Sequence, residues 1–306
     1  MGKPEEKNSF MARVSNWWIR NSKSIILPGL EGLSLYDLIV IFYSGIVKGT
    51  FSTRASAVAF SFFMALFPFL LFALNLIPFI NFIDDFQLEF LVFMDKLLPP
   101  ETKDFFDGIF TDIAAKKRGG LLSVTFLLSI FLMANGVNAI FTGFEFSYHT
   151  KINRPIIRQY VIAVGVSLIL ALLLLATVVV TIYLTYLMED LKTYGLVSNA
   201  AQWANVGRYL MFIAMVYIAV ATLYYFGTKE GRLSRFFSVG ASFSTILIII
   251  TTFLFGLYIT YFSNYNELYG SIGALLILMV YIWINSNILL LGFELNASLI
   301  KLKSNK

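Results

Sequence analysis

Long apolar runs dominate this sequence and determine its predicted architecture. Six runs of mostly apolar residues fall at roughly 55–81, 120–144, 157–187, 204–227, 237–262 and 271–298. A helix of about 20 apolar residues crosses the hydrocarbon core of a bilayer, which is about 30 Å thick. The pattern therefore predicts six membrane-spanning helices, of which the third is long enough to tilt.

Two further segments lie on either side of the first predicted span. The run from Ser34 to Thr50 is too short to cross the bilayer. It predicts a helix in the membrane interface or under the bundle, with a plain juxtamembrane helix as the alternative. The connection 82–119 contains Pro99-Pro100, followed by apolar residues on one helical face, which predict an external amphipathic helix. Those residues are Phe105, Phe106, Ile109, Phe110 and Ile113.

Composition supports the membrane assignment. Of the 306 residues, 58% are hydrophobic and 13% are charged, whereas soluble domains carry about 25% charged residues. The predicted fold class is all-α, a polytopic membrane helix bundle of about six transmembrane helices plus interfacial amphipathic helices. The predicted division is a cytoplasmic N-terminal tail (1–33), a membrane domain (34–300) that includes the external loop 82–119, and a cytoplasmic C-terminal tail (301–306).

The distribution of Lys and Arg predicts the orientation. The chain has 23 Lys and Arg. Seven precede or begin the first span, and three occur in each of the connections 145–158 and 228–235 and in the C-terminal tail. The opposite side has seven, and in the loop 82–119 acidic residues outnumber the basic ones. Because cytoplasmic connections are enriched in Lys and Arg, both termini are expected in the cytoplasm.

Polar residues, together with Pro68 and Gly292, recur at helical spacing in three of the predicted spans. The polar members are Arg54, Ser61 and Asn75 in the first span, Asn135, Asn138, Thr142 and Glu145 in the second, and Asn285, Asn287, Glu294, Asn296 and Ser298 in the sixth. Pro68 is expected to kink the first helix. Such residues either join helices by hydrogen bonds or line a polar cavity. Under the second interpretation, a substrate path is lined by Asn75, Asn135, Asn138, Asn285 and Asn287. The sixth helix is polar on two sides, so it is expected to be central in the bundle.

The predicted topology places Arg54 and Glu294 at similar depth near the cytoplasmic face. A carboxylate buried there needs a cation, so we expect an ion pair that locks the first and sixth spans together. Arg154, Arg158 and Arg235 are rival partners for Glu294. These three arginines are also predicted to attract anionic lipid headgroups.

Residues suited to enzymatic chemistry are sparse. His149 is the only histidine, and cysteine is absent, so zinc sites built from several His or Cys ligands are excluded. The acidic group Asp84, Asp85 and Glu89 lies in the external loop and is interpreted as a solvated face. No Gly-rich phosphate-binding loop is present. The sequence therefore predicts a protein that is not an enzyme, with no catalytic residues, no metal site and no cofactor.

Two motifs resemble a known family. Residues Arg54-Ala55-Ser56-Ala57-Val58-Ala59-Phe60, continuing to Leu66-Phe67-Pro68, resemble the opening motif of the YihY/virulence factor BrkB family. Residues 269–274 (YGSIGA) and 289–297 (LLLGFELNA) resemble its closing motif. The likeness covers roughly residues 35–300. Two prolines usual in the family are missing: Val239 stands before Gly240 at one of these positions, and the other lies in the turn after the fourth span.

The resemblance implies a bacterial inner-membrane protein with six spans. Members of the family were once labelled as a tRNA-processing ribonuclease, a label later regarded as mistaken, and links to virulence and envelope lipid export have been suggested. The leading hypothesis is a transporter or flippase-like protein for a lipid or amphipathic envelope component, with membrane lipids as its partners. The alternative is a non-transporting scaffold that assembles with an envelope protein. No nucleic-acid partner is expected, and the oligomeric state is left open.

Overall fold

The protein is built from long α-helices. The computed structural model describes residues 50–76, 122–145, 154–194, 199–229, 236–262 and 271–304, together with 34, 36, 37, 40, 90 and 92. The long helices in these residues are α1 (Thr50–Leu76), α2 (Leu122–Glu145), α3 (Ile156–Thr193), α4 (Ala200–Gly227), α5 (Val239–Phe262) and α6 (Ser271–Ser304). Each is long and apolar enough to cross a membrane. The six predicted spans and the all-α membrane fold are therefore confirmed.

Two helices differ from the simplest expectation. Helix α3 has 38 residues, and at about 1.5 Å per residue it is roughly 57 Å long. It therefore tilts within a hydrocarbon core of about 30 Å or projects beyond it. Helix α1 continues through Pro68, whose ring nitrogen cannot donate to the carbonyl one turn earlier. The kink at Pro68 stays a prediction.

The helices form a closed ring in chain order. Each packs against the next helix in the chain, and α6 returns to pack against α1. Helix α2 also contacts α4 and α6. In α6 every residue from Ile288 to Asn296 is buried, whereas Leu276, Val280 and Trp283 are exposed. The central position predicted for the sixth helix therefore holds for its second half.

An aromatic core joins α2, α4 and α6. The rings of Phe144 and Phe293 stack with their centroids 4.2 Å apart. Tyr224 meets both rings edge-on, at 5.6 and 6.0 Å. By contrast, the apolar window of α5 is only 17% buried, against 50% for α2 and α6. Of the six described helices, α5 therefore has the largest exposed fraction of its apolar span.

The segments outside the six long helices are described only in part. Ser34 N and Oγ donate to Asp37 Oδ2 at 3.0 and 2.7 Å, and Asp37 N donates to Ser34 Oγ at 3.3 Å. This reciprocal pattern is a capping box, which marks the first turn of a helix. It agrees with the helix predicted to begin at Ser34, although most of that segment lies outside the described residues. In the loop 82–119 only Phe90 and Val92 are described.

Candidate functional site

The candidate site comprises the polar groups on α1, α2, α3 and α6. Its first element is the ion pair between Arg54 and Glu294. Arg54 Nη2 donates to Glu294 Oε1 at 3.0 Å, and the two side chains are only 14% and 11% exposed. The guanidinium also lies over the ring of Phe51, 5.5 Å from its centroid. The ion pair predicted from sequence is therefore present and ties the start of α1 to α6.

The ion pair is positioned by a close crossing of α5 and α6. Each helix has a glycine at the crossing, and a Cβ on Gly240 would collide with the carbonyl oxygen of Gly292. A Cβ on Gly292 would collide with Ser244 Oγ and lie 2.5 Å from Tyr224 Oη. Only glycine at these two positions lets the backbones approach so closely. Since Gly292 and Glu294 are near neighbours in α6, this crossing fixes the position of the carboxylate.

Buried hydrogen bonds secure the same crossing. Tyr224 Oη lies 2.6 Å from Ser244 Oγ and donates to the carbonyl of Leu289 at 2.7 Å. Ser244 Oγ donates to the carbonyl of Ile288 at 3.2 Å. The two hydroxyls therefore join α4 and α5 to backbone carbonyls of α6. Sequence reasoning missed both residues, although Gly240 and Gly292 mark the helices that meet there.

Asn296 of α6 caps the first turn of α5. Its Oδ1 accepts from Gly240 N at 2.8 Å, and its Nδ2 donates to Ser238 Oγ at 2.8 Å. Ser238 Oγ in turn accepts from Ala241 N at 3.3 Å. The first N–H groups of a helix have no partner within the helix, and here a side chain of α6 supplies one. Asn296 is thus a capping residue and is buried.

A second polar cluster joins the end of α2 to the beginning of α3. The buried amide of Gln159 lies 3.0 Å from both carboxylate oxygens of Glu145, to which it donates when its NH₂ group faces them. On its other side the amide lies 3.1 Å from Asn138 Oδ1 and 3.2 Å from Thr142 Oγ1. Glu145 also accepts from Arg154 N at 3.2 Å. Sequence reasoning identified three residues of this polar stripe but missed Gln159.

The predicted path residues occupy different environments. Asn138 belongs to the cluster with Gln159. Asn285 and Asn287 each donate to a carbonyl one turn earlier in α6, at 2.8 and 2.7 Å, but the buried Oδ1 of Asn285 has no hydrogen-bond partner. Asn135 is exposed on α2 and forms no hydrogen bond with any described residue. The side chain of Asn75 lies outside the described residues.

The three arginines predicted to attract headgroups also differ. Arg154 is buried, and its Nη1 donates to the carbonyl of Phe226 at 2.6 Å. Arg158 is exposed in the first turn of α3. Arg235 lies outside the described residues. Arg158 is thus the described arginine of this set that is accessible to a headgroup.

A comparison with known proteins identifies the family. A family model for the virulence factor BrkB matches residues 42–305. The chain belongs to the BrkB family. The two motifs that resemble the family, within residues 54–68 and 269–297, both lie in the matched region. Four of their residues have a structural role described above: Arg54, Gly292, Glu294 and Asn296.

Curated relatives of this BrkB family protein are bacterial. The ribonuclease-like protein YfkH of Bacillus subtilis is 27% identical over 82% of this chain and 90% of its own length. A UPF0761 membrane protein of Alteromonas mediterranea is 24% identical over 89% of this chain and 90% of its own length. One from Coxiella burnetii is 22% identical over 78% and 84%. No solved structure matches the chain.

The described part of this BrkB family protein presents amide, hydroxyl and paired charged groups. Within the described residues, no group of three or more His, Cys, Asp or Glu side chains is placed to hold a metal ion. His149 and the acidic group at 84–89 lie outside the described residues. Amides and hydroxyls can hydrogen-bond a polar headgroup or water, and a paired arginine and glutamate can hold helices together.

Proposed function

We propose that this BrkB family protein moves a lipid or amphipathic component of the cell envelope across the bacterial inner membrane, with both termini in the cytoplasm. The observation that carries the proposal is a set of amides within the spans whose polar atoms the described protein does not satisfy. They are the buried Oδ1 of Asn285 and the exposed amide of Asn135. Because hydrocarbon cannot hydrogen-bond such groups, each costs several kcal/mol unless a polar molecule meets it.

The ion pair between Arg54 and Glu294 supports a gated path. It joins α1 to α6 across the closure of the helix ring. Separating the two charges inside the membrane would be strongly unfavourable unless water or a polar substrate replaced each partner. We therefore assign this pair the role of a lock, which opens as a polar group enters.

We also propose that the protein works without covalent chemistry. Its single histidine, the absence of cysteine and the paired state of Glu294 support a binding and transport role. The ribonuclease-like name of YfkH describes that relative, which is 27% identical to this chain.

Reconstitution in liposomes tests the proposed function. Purified protein is placed in vesicles containing fluorescent phospholipids, and membrane-impermeant reductant measures how much label reaches the outer leaflet. We expect movement with the wild-type protein and its loss in the double variant Asn135→Leu/Asn285→Leu. The control is Asn205→Leu, because Asn205 is exposed near the beginning of α4, where its Oδ1 accepts a long hydrogen bond of 3.4 Å from Arg208 on the same helix. Absence of wild-type movement with neutral and anionic lipids would refute transport of these lipids and favour the scaffold alternative.

A further inference from the structure

The outward face between α2 and α3 contains a polar track within an otherwise apolar surface. Asn135 lies near the middle of the span Leu127–Glu145, ten residues before Glu145. At about 1.5 Å per residue this places its amide roughly 15 Å from the end of the span, about half the thickness of the hydrocarbon core. An exposed amide at that depth faces acyl chains unless a polar group covers it.

The track continues from Asn135 toward the end of α2. Successive members are Asn138, Thr142 and Glu145, and all three are half-buried. Their spacing of three to four residues keeps them on one side of the helix. The neighbouring helix α3 adds the amide of Gln159, within 3.2 Å of the track. The polar groups therefore run without a break from mid-membrane to one end of the spans.

The walls of the track also come from both helices. Tyr160 Oη donates to the carbonyl of Phe131 at 3.0 Å, and the two rings lie 5.8 Å apart. Phe131 lies one turn before Asn135 and is exposed. This contact joins α2 to α3 on the outward side, just beyond the unpartnered amide. The exposed side of α2 that carries Phe131 and Asn135, bordered by Tyr160 of α3, is called the groove below.

Charge identifies the occupant. Arg158 is exposed in the first turn of α3, at the end of the membrane where the track finishes. The carboxylate of Glu145 already accepts hydrogen bonds from Arg154 N and from the Gln159 amide. A helix N-terminus and an exposed arginine together attract a phosphate group. We propose that this groove binds the phosphate-bearing headgroup of a phospholipid, whose acyl chains stay in the surrounding bilayer.

This inference rests on the proposed function and names the route of its substrate. A headgroup enters beside Arg158, and at mid-membrane the Asn135 amide donates to its phosphate. This route uses Asn135 and Asn138 of the path predicted from the sequence, but not Asn285. Asn285 lies on α6, whereas the groove belongs to α2 and α3.

Photolabelling tests the groove directly. The protein is reconstituted in phosphatidylethanolamine and phosphatidylglycerol vesicles containing a phospholipid with a photoreactive headgroup, and labelled peptides are identified by mass spectrometry. We expect labelling of α2 around Asn135 and of α3 around Tyr160. Asn135→Leu is expected to reduce mid-span labelling about tenfold, the effect of losing one charge-assisted hydrogen bond. Asn135→Gln should retain most of it, and Asn205→Leu all of it.

Two results would overturn the groove. They are labelling confined to the helix ends and mid-span labelling that Asn135→Leu leaves unchanged. Lipid movement, measured in the same vesicles, tests the proposed function separately. Labelling of the groove without lipid movement would refute transport but support headgroup binding in the groove. If lipid movement is unchanged in Asn135→Leu and labelling occurs elsewhere, the protein transports lipid by a route other than the groove.

Discussion

Breaking the ion pair between Arg54 and Glu294 gives a quantitative test of the lock. The charged atoms are 3.0 Å apart. Coulomb's law gives about 5.5 kcal/mol at an effective dielectric constant of about 20 and about 1.4 kcal/mol in bulk water. Because the side chains retain 14% and 11% exposure, some solvent screening remains, and we expect a coupling energy of about 2 kcal/mol.

A double-mutant cycle measures this coupling. The variants are Arg54→Gln, Glu294→Gln and the combination of both, unfolded reversibly in mixed micelles with increasing denaturing detergent. Each single variant leaves one charge without its partner and is expected to lose about 3 kcal/mol. The double variant should lose less than the sum of the two. Leu276→Ala serves as the control, because Leu276 is exposed on α6 and lies eighteen residues before Glu294.

Additive losses of stability in the two single variants would refute the coupling between Arg54 and Glu294. If the two losses add to within about 0.5 kcal/mol, the side chains act independently and the contact contributes no coupling. A severe effect of Arg54→Gln beside a neutral Glu294→Gln would likewise reject the pair and assign Arg54 another partner.

Other contacts give further predictions. Gly292→Ala forces a methyl group against Ser244, so we expect a loss of about 1–3 kcal/mol in the same unfolding assay; a neutral result would contradict the close crossing. Asn296→Leu removes the partner of Gly240 N and should cost about 1–3 kcal/mol, whereas Asn296→Asp keeps an acceptor and should cost less; equal losses would reject the cap. Because the chain has no cysteine, single cysteines report topology: an impermeant maleimide added to intact cells should label Thr193→Cys but not Ser304→Cys, and the reverse would invert the orientation.

The amino-acid sequence was sufficient for the helices and for one long-range contact. Long apolar runs are a strong signal because a bilayer leaves few other structures available to the backbone. The pairing of Arg54 with Glu294 was predicted from depth, because both charges lie near the same membrane face, although Arg154, Arg158 and Arg235 were rival partners. Both predictions depend on depth in the membrane, which follows from where each apolar run begins and ends.

The sequence did not predict how each helix is rotated about its own axis, and therefore which neighbour its polar side meets. Periodicity groups Asn135, Asn138 and Glu145 on one side of α2, but it does not say which neighbour that side meets. Packing volume decides this, as where Gly136 allows α1 and α2 to approach: a Cβ there would lie 2.5 Å from Ala65 Cβ. The contributions of Gln159 and Tyr224 depend on such packing and were therefore not predicted.

The described polar contacts are unevenly distributed along the membrane normal. The pair of Arg54 and Glu294, the cluster around Gln159 and the cap by Asn296 all lie where α1, α3 and α5 begin and α2, α4 and α6 end. Toward the opposite face, the described helices are joined by apolar packing such as that of Phe72, Met133 and Ala171 and by hydrogen bonds between neutral or singly charged partners, from Arg208 to Thr185 and between Thr252 and Tyr281, but by no ion pair among the described residues.

This asymmetry determines which end of the described bundle opens more readily. Hydrogen bonds between membrane helices contribute about 0.6 kcal/mol each, and a broken ion pair costs more. The end that carries Arg54 and Glu294 is therefore the more firmly closed. If transport requires this end to open, Arg54→Gln/Glu294→Gln should accelerate lipid movement even as it lowers stability. A double variant that loses both stability and movement would instead make the pair part of the fold alone.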